Sequence, residues 1–357
     1  MPLPERPNLR HLKSQAQDLI DAGQATSVTD AQFQVARQYG FASWPKLKSH
    51  VEAVTVTDGD ADATLTSDAL IDTIITFLTG QDRVTLEEVR GALRRELEAA
   101  GPVALLALHE RLISPPDWDF YPADPVARRV HHLLADRLID AGSGVDGIEH
   151  ARAVEGRRVV VFANHLSYAD ANLIDVLLRR AGAGALADRL IAIAGPKVYS
   201  SRRRRFSSLC FGTIRTPQSS GLSTEEAAMP RREVALAARR SIELAHQRLR
   251  AGDALLVFAE GTRSRTGELQ RLLSGAARYV ELEDTWMLPV GITGTEALFP
   301  VDAEELHRVS VRVHLGQPIP VSRLRGEAEG DRQRLMDAVG AAIAALLPAA
   351  YRGVYAE

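Results

Sequence analysis

Four short apolar runs, Val159–Ala163, Leu190–Ala194, Ala254–Phe258 and Met287–Ile292, constrain this chain more than any other feature. Each is too short for an ordinary helix, and each lacks the polar alternation of a strand with one wet face. That is the pattern of strands buried on both sides. Helical periodicity lies between them, around Asn172–Arg180 and Val234–Arg250. Strands alternating with helices specify an α/β layer. A fifth stretch is different: Val309, Val311, Val313 and Leu315 alternate with Ser310, Arg312 and His314, which predicts a half-buried strand nearer a sheet edge. The predicted fold class is α/β, a mixed β-sheet flanked by helices, preceded by an all-helical N-terminal region.

The helical part has its own punctuation. Asn8 can cap a helix through Leu9, Leu12, Ala16, Leu19 and Ile20. Thr29-Asp30-Ala31-Gln32 has the capping-box form ahead of Phe33, Val35, Ala36 and Tyr39, and Ser43 can cap a third helix with Pro45 in its first turn. Thr85-Leu86-Glu87-Glu88 is a second box, Pro102 can start a helix, Pro115-Pro116 ends it, and Pro125 opens another that runs towards Gly142. The expected organisation is a helical segment over 1–55, a linker rich in Asp, Thr and Ala over 56–66, a helical region over 67–145, and an α/β domain with a C-terminal helix over 146–357.

Composition narrows the function classes. With 43 Lys+Arg against 46 Asp+Glu, the net charge of −3 excludes a generic polyanion binder. Aromatic residues are 5 % of the chain and do not interleave with the basic run Arg202–Arg205, so nucleic-acid binding is unsupported. The single cysteine, Cys210, excludes internal disulfides and Cys-based zinc sites, and His131-His132 lack a third ligand at useful spacing. No run is long and apolar enough to span a bilayer; the nearest, Ala338–Tyr351, is interrupted by Pro348. Glu5, Arg6, Arg10 and Lys13 are unlike a signal peptide. The expected location is cytoplasmic, with peripheral contact at the inner face of an anionic membrane as an option.

The chemistry gathers just after the apolar runs, where α/β sheets place their ligands. Asn164-His165-Leu166-Ser167-Tyr168-Ala169-Asp170 follows the first run. His165 and Asp170 are five residues apart, across a turn that lets the carboxylate meet one ring nitrogen. That pairing makes a general base and its orienter. A capping Asp with a structural His is the plainer alternative for the same residues. Ser167 lacks a G-x-S-x-G elbow and reads as part of the helix start rather than a nucleophile. After the third run comes Phe258-Ala259-Glu260-Gly261-Thr262-Arg263-Ser264, which offers a flexible backbone, a hydroxyl and a planar fork matched to phosphate oxygens. Lys197 and Phe211-Gly212-Thr213-Ile214-Arg215 add cations, and Leu288-Pro289-Val290 lies in the fourth run.

These blocks, in this order, resemble the glycerolipid acyltransferase superfamily, which includes glycerol-3-phosphate and lysophosphatidate acyltransferases. The resemblance covers roughly Asp146 to Pro320. It implies that His165 is the catalytic base and Asp170 its partner. It also implies that Lys197, Arg215, Glu260, Gly261, Thr262 and Arg263 shape the acceptor site, and that Pro289 and Val290 support the acyl-donor side. Ala259 stands where proline is common, and Thr216–Arg232 is longer than a minimal member needs. No metal and no cofactor is implied; the co-substrate is acyl-coenzyme A or an acyl carrier protein, and the acceptor is a phosphorylated glycerol. Backbone N–H groups near the helix start after Asp170 are the expected oxyanion donors. Arg202–Arg205 with Phe206 reads either as a solvated loop or as a contact for lipid headgroups or the phosphates of coenzyme A. The first segment separately resembles a helical segment of bacterial ankyrin-type proteins, through Asp30-Ala31-Gln32-Phe33 and Tyr39-Gly40-Phe41-Ala42-Ser43-Trp44-Pro45-Lys46-Leu47.

Overall fold

The computed structural model describes residues 9–48, 51, 66–75, 83–113, 119–195, 198, 202–217, 231–298 and 308–356. Asn8, Trp118, Lys197 and the segment 56–65 lie outside the described residues. The chain divides into two compact units, Met1–Thr64 and Leu65–Glu357.

In the first unit, helix α1 (Leu9–Asp21) and helix α2 (Val28–Gln38) close around Leu12, Ala16, Ala31, Val35, Ala36 and Leu47. The cap of α2 is Ser27, not the predicted Thr29. Ser27 has extended backbone and its hydroxyl accepts from Asp30 N, while the Asp30 carboxylate accepts from Thr26 N. The cap therefore starts two residues earlier than predicted, and the carboxylate three residues on reaches back to the residue before the cap rather than to the cap itself. Phe33 does not join the predicted apolar face: it stands on the side of α2 away from Ala31 and Val35 and is exposed.

The second unit opens with α3 (Ser67–Ile75) and α4 (Arg83–Ile113). Thr85 lies inside α4 rather than capping it. Gly101, at φ 77° and ψ 165°, breaks α4, and Pro102 begins its second half. After strand β1 (Phe120–Tyr121), Asp124 accepts from Val126 N and Ala127 N and so caps α5 (Pro125–Leu138), which stops short of Gly142. Then follow β2 (Gly144–Asp146), α6 (Ile148–Ala153), β3 (Arg158–Ala163), α7 (Asp170–Arg180), α8 (Gly184–Arg189) and β4 (Leu190–Ala194). Next come α9 (Arg202–Ser208), β5 (Gly212–Arg215), α10 (Arg231–Arg250), β6 (Ala254–Val257) and β7 (Thr285–Thr293). The chain closes with β8 (Arg312–Leu315), β9 (Ile319–Pro320), α11 (Val321–Ala328) and α12 (Arg332–Ala344).

The strands form one mixed sheet in the order β1-β5-β4-β6-β3-β7-β8-β2, with β9 also on β7. The four predicted apolar runs are β3, β4, β6 and β7, side by side in its middle. They run parallel with β5, whereas β1 and β8 are antiparallel to their neighbours β5 and β7. The region 67–145, expected to be helical only, contributes β1 and nearly all of β2, the two edges. Strands of two and three residues carry no periodicity to read. The alternating stretch forms β8 over Arg312–Leu315 alone, second from the edge, with Val309 bridged to Ile139.

Alternation along each strand feeds two cores. Val159, Val161 and Ala163 pack with Leu173, Ile174 and Leu177 of α7; Val160 and Phe162 pack with Leu244 and Leu249 of α10 and Met336, Val339 and Ile343 of α12. Each such side chain contributes about 1.5–3 kcal/mol of transfer free energy. Among the described residues, no helix is long and apolar enough to cross a membrane. Because β3 to β7 are parallel, their carboxyl ends share one edge of the sheet, and the loops carrying His165, Arg215, Arg263 and Thr295 all leave from it.

Candidate active site

The turn after β3 is fixed before any catalytic group is reached. Asn164 is buried, and its amide works like a peptide unit: Nδ2 donates to Ile292 O at 2.9 Å, and Oδ1 accepts from Ile292 N at 2.8 Å. This carries the β3–β7 pairing one residue further and leaves His165 at the rim. The His165 backbone is held by the loop after β6. Its N–H donates to Glu260 Oε1 at 2.7 Å, and its carbonyl accepts from Ser264 N at 2.7 Å.

His165 and Asp170 meet as the spacing predicts. Nδ1 lies 2.8 Å from Asp170 Oδ2. The same oxygen accepts from Leu166 N at 2.7 Å and Ser167 N at 2.9 Å, and Oδ1 accepts from Thr295 Oγ1 at 2.5 Å. Asp170 is 0 % exposed, so four donors offset the cost of burying it. It also stands in the first turn of α7, where the helix dipole favours negative charge. A carboxylate only accepts, so Nδ1 carries the proton and Nε2 keeps its lone pair. Phe258, at the end of β6, stacks on the imidazole with centroids 4.3 Å apart and planes at 20°. The His165 side chain keeps 18 % exposure, so this braced ring remains reachable. Ser167 is fully buried and cannot serve as a nucleophile.

The loop after β6 divides its labour. Glu260 is buried, with Oε1 held by His165 N and Oε2 by Gln270 N at 2.9 Å. It therefore joins two loops rather than presenting a free carboxylate to an acceptor. Burial raises its pKa to about 7, against the two amide hydrogen bonds that lower it; the charge of Asp170 adds a smaller rise. Gly261 has φ 74°, a left-handed position that suits glycine, and Gly261 and Thr262 are exposed at the rim. The Arg263 guanidinium lies 3.8 Å from the centroid of Tyr168, inside the His165–Asp170 loop.

The other predicted residues sit at different distances from this centre. Arg215 ends β5, three strands from β3, which is about 14 Å at ordinary strand spacing; Ser241 Oγ donates to its carbonyl at 2.5 Å. Lys197 and the segment 218–230 lie outside the described residues. Pro289 and Val290 pair with Phe162 and Ala163, directly before Asn164. Pro289 has no N–H to give, and it falls between the part of β7 paired with β9 and the part paired with β8. Both residues are buried in the sheet and support the loop from beneath. Arg202–Arg205 is not a solvated loop: it opens α9, where Arg205 Nη1 donates to Leu112 O at 2.7 Å and the Arg204 guanidinium lies 4.8 Å from the Tyr168 centroid. The sequence does not point to Thr295, to Tyr168 or to the roles of Asn164 and Phe258, whereas Arg204 belongs to the run already offered as a phosphate contact. Thr295 could have been sought at the carboxyl end of β7, by the same rule that found His165. Leu166 N and Ser167 N are committed to Asp170, so they do not serve an oxyanion.

A buried carboxylate, a braced imidazole whose Nε2 has no partner among the described residues, and an arginine at the rim define a site for proton abstraction beside an anionic group. A family model described as Acyltransferase matches residues 143–293, a segment that holds every predicted site residue. Among solved structures, the 1-acyl-sn-glycerophosphate (LPA) acyltransferase PlsC from Thermotoga maritima is similar at 19 % identity. The similarity covers 82 % of this chain and 94 % of that chain with a TM-score of 0.39. No curated protein matches.

Proposed function

We propose that this chain transfers a fatty acyl group from a coenzyme A or carrier-protein thioester to a hydroxyl of a small phosphorylated glycerol, glycerol-3-phosphate first. The observation that carries the reading is the His165–Asp170 pair at 2.8 Å, with Nε2 free and Arg263 at the rim of the same loop. His165 Nε2 takes the acceptor hydroxyl proton as the oxygen attacks the thioester carbonyl carbon. The C–S bond then breaks, and the leaving sulfur takes the proton back, giving an ester and a free thiol. A thioester is already activated, so no covalent enzyme intermediate is needed. Base catalysis of this kind supplies about a hundred- to ten-thousand-fold. The rest comes from holding the acceptor phosphate on Arg263 so that its hydroxyl meets Nε2.

The test follows thiol release by purified protein with acyl-coenzyme A, against glycerol-3-phosphate and lysophosphatidate. Release should depend on the acceptor and be fastest with glycerol-3-phosphate. His165→Ala should lower turnover by at least about a hundredfold with unchanged circular dichroism. Arg263→Ala should chiefly raise the acceptor KM. Acceptor-independent release would make the protein a thioesterase; preference for lysophosphatidate would move the acceptor one acylation further on.

A further inference from the structure

His165 is braced by two buried groups on separate loops. Thr295, after β7, holds Asp170, and Glu260, after β6, holds the His165 N–H. Each brace stands one residue from a group held by Tyr351, in the segment after α12. The Tyr351 hydroxyl donates to Glu296 Oε1 at 2.5 Å, and Glu296 directly follows Thr295. The Tyr351 carbonyl accepts from Leu269 N at 2.8 Å, and Leu269 directly precedes Gln270, whose N–H donates to Glu260 Oε2 at 2.9 Å. Among the described residues Tyr351 alone donates to the Glu296 carboxylate, whose Oε2 is buried without a partner. Burial, with that carboxylate beside it, pushes the phenol up to about 12, so it stays a donor at neutral pH. The Tyr351 side chain packs against both cores of the sheet. Its surroundings are fixed by fit: a Cβ on Gly353 would lie 2.1 Å from Leu269 O, and Val354 N donates to that same oxygen at 3.2 Å. Tyr355 Oη accepts from Leu272 N at 3.1 Å and donates to Asp337 Oδ1 of α12 at 3.2 Å.

We infer that Tyr351 is a positioning residue for His165: it ties the loop after β6 to the turn after β7 and so sets the two groups that brace the imidazole. The inference rests on the acyl transfer proposed above and gives that reaction a support remote from it in sequence. Tyr351 acts through Glu296 and Leu269, not on a substrate. A phenol suits the place, because its ring fills the seam between two apolar cores while its hydroxyl reaches a carboxylate. Without the hydroxyl, Glu296 is left buried and unpartnered, and the turn that carries it must shift to bring it to water. Thr295 shifts with it, its hydrogen bond to Asp170 Oδ1 lengthens, and the carboxylate turns away from Nδ1. Misplacing a catalytic group by about 1 Å costs up to about a hundredfold in rate.

The experiment uses the full chain and the variants Tyr351→Phe, Glu296→Gln and Leu324→Ala. Tyr351→Phe keeps the ring and removes the hydroxyl. It should lower kcat by about ten- to a hundredfold, with the KM values for acceptor and thioester changed by less than about threefold. Glu296→Gln keeps an oxygen that accepts from the phenol and should retain most of the turnover. Leu324→Ala is the control for stability alone. Leu324 is buried in α11, which follows the pairing of Pro320 with Trp286 near the amino end of β7, the opposite edge of the sheet from the site. That variant should lower the melting temperature more than Tyr351→Phe does, yet keep kcat within about twofold at a temperature where all variants are folded. A second readout needs no substrate: the downfield proton NMR resonance of His165 Nδ1–H, identified by its loss in His165→Ala. It should move upfield in Tyr351→Phe and stay in place in Glu296→Gln and Leu324→Ala. If the wild type transfers no acyl group but the resonance moves as stated, the proposed reaction fails and the positioning role of Tyr351 stands. An unmoved resonance in Tyr351→Phe would overturn the inference, as would a loss of kcat that merely tracks melting temperature across Tyr351→Phe and Leu324→Ala.

Discussion

Two carboxyl groups lie close together at this site and are treated in opposite ways. Asp170 has four donors on its two oxygens, and among the described residues Thr295 alone donates to Oδ1. Thr295→Val removes that donor from a group with no water to replace it. It should cost about 1–3 kcal/mol, read as a lower urea midpoint, and Thr295→Ser should recover most of the loss. Glu260 has one amide per oxygen, and burial wins, holding its pKa at about 7 against an ordinary 4.5. Between those values the unfolded chain loses this proton and the folded chain keeps it. The folded state then binds more protons, so the stability linked to Glu260 falls as pH rises through the window and levels off above it. Glu260→Gln has no proton to lose. Wild-type stability relative to Glu260→Gln should therefore decline from pH 5 to pH 8 by an amount on the order of 3 kcal/mol, measured by urea unfolding at both pH values. A difference that does not depend on pH would show that the two amides hold Glu260 ionised throughout.

At the scale of the elements, the site depends on where each strand stops. The turn after β7 is the clearest case. Gly294 has φ 90°, and a Cβ there would lie 2.0 Å from Ser310 O. Gly294→Ala must move either the turn or the segment leading into β8, and Thr295 is the next residue. It should destabilise by about 2 kcal/mol or more and lower acyl transfer together with stability, read by thermal melting and thiol release on one sample. This kind of dependence also marks what the sequence can disclose. The central strands are legible because a strand buried on both faces is a continuous apolar run, and the His165–Asp170 pair is legible because both ends lie in one turn. Thr295 meets Asp170 across 125 residues, and Glu260 meets the His165 amide across 95. Such contacts depend on strand order, which no local pattern encodes. The edge strands β1 and β2 are illegible for another reason: two or three residues cannot establish a period. The run Arg202–Arg205 is misleading because four arginines signal solvent, while the packing of Phe206 and Leu209 beneath them forms a helix.

For the whole molecule, each apolar cluster of the described residues is drawn from a single unit. The cluster of the first unit draws on residues from Leu12 to Val51 only, and the other three draw on residues from Leu70 onward. Every described site residue belongs to the second unit, and the acyltransferase match begins at residue 143. A chain starting at Leu65 should therefore fold. A unit of about 60 residues buries a smaller fraction of its surface than a larger one and is correspondingly marginal, so it should melt first. Calorimetry of the intact chain should then show two transitions rather than one, the lower being small. Deleting residues 1–64 should abolish the lower transition, leave the upper within about 2 °C, and leave kcat/KM for the acyl acceptor within about threefold. The helices of 67–113 give the opposite expectation. Leu93, Leu97 and Leu108 share a cluster with Phe206 and Leu209 of the segment that presents Arg204. Removing residues 1–113 should therefore unfold or inactivate the remainder. If the shorter deletion also destroyed the upper transition, the first unit would be structurally required by the sheet, and the independence of the two cores would have no bearing on how the protein works.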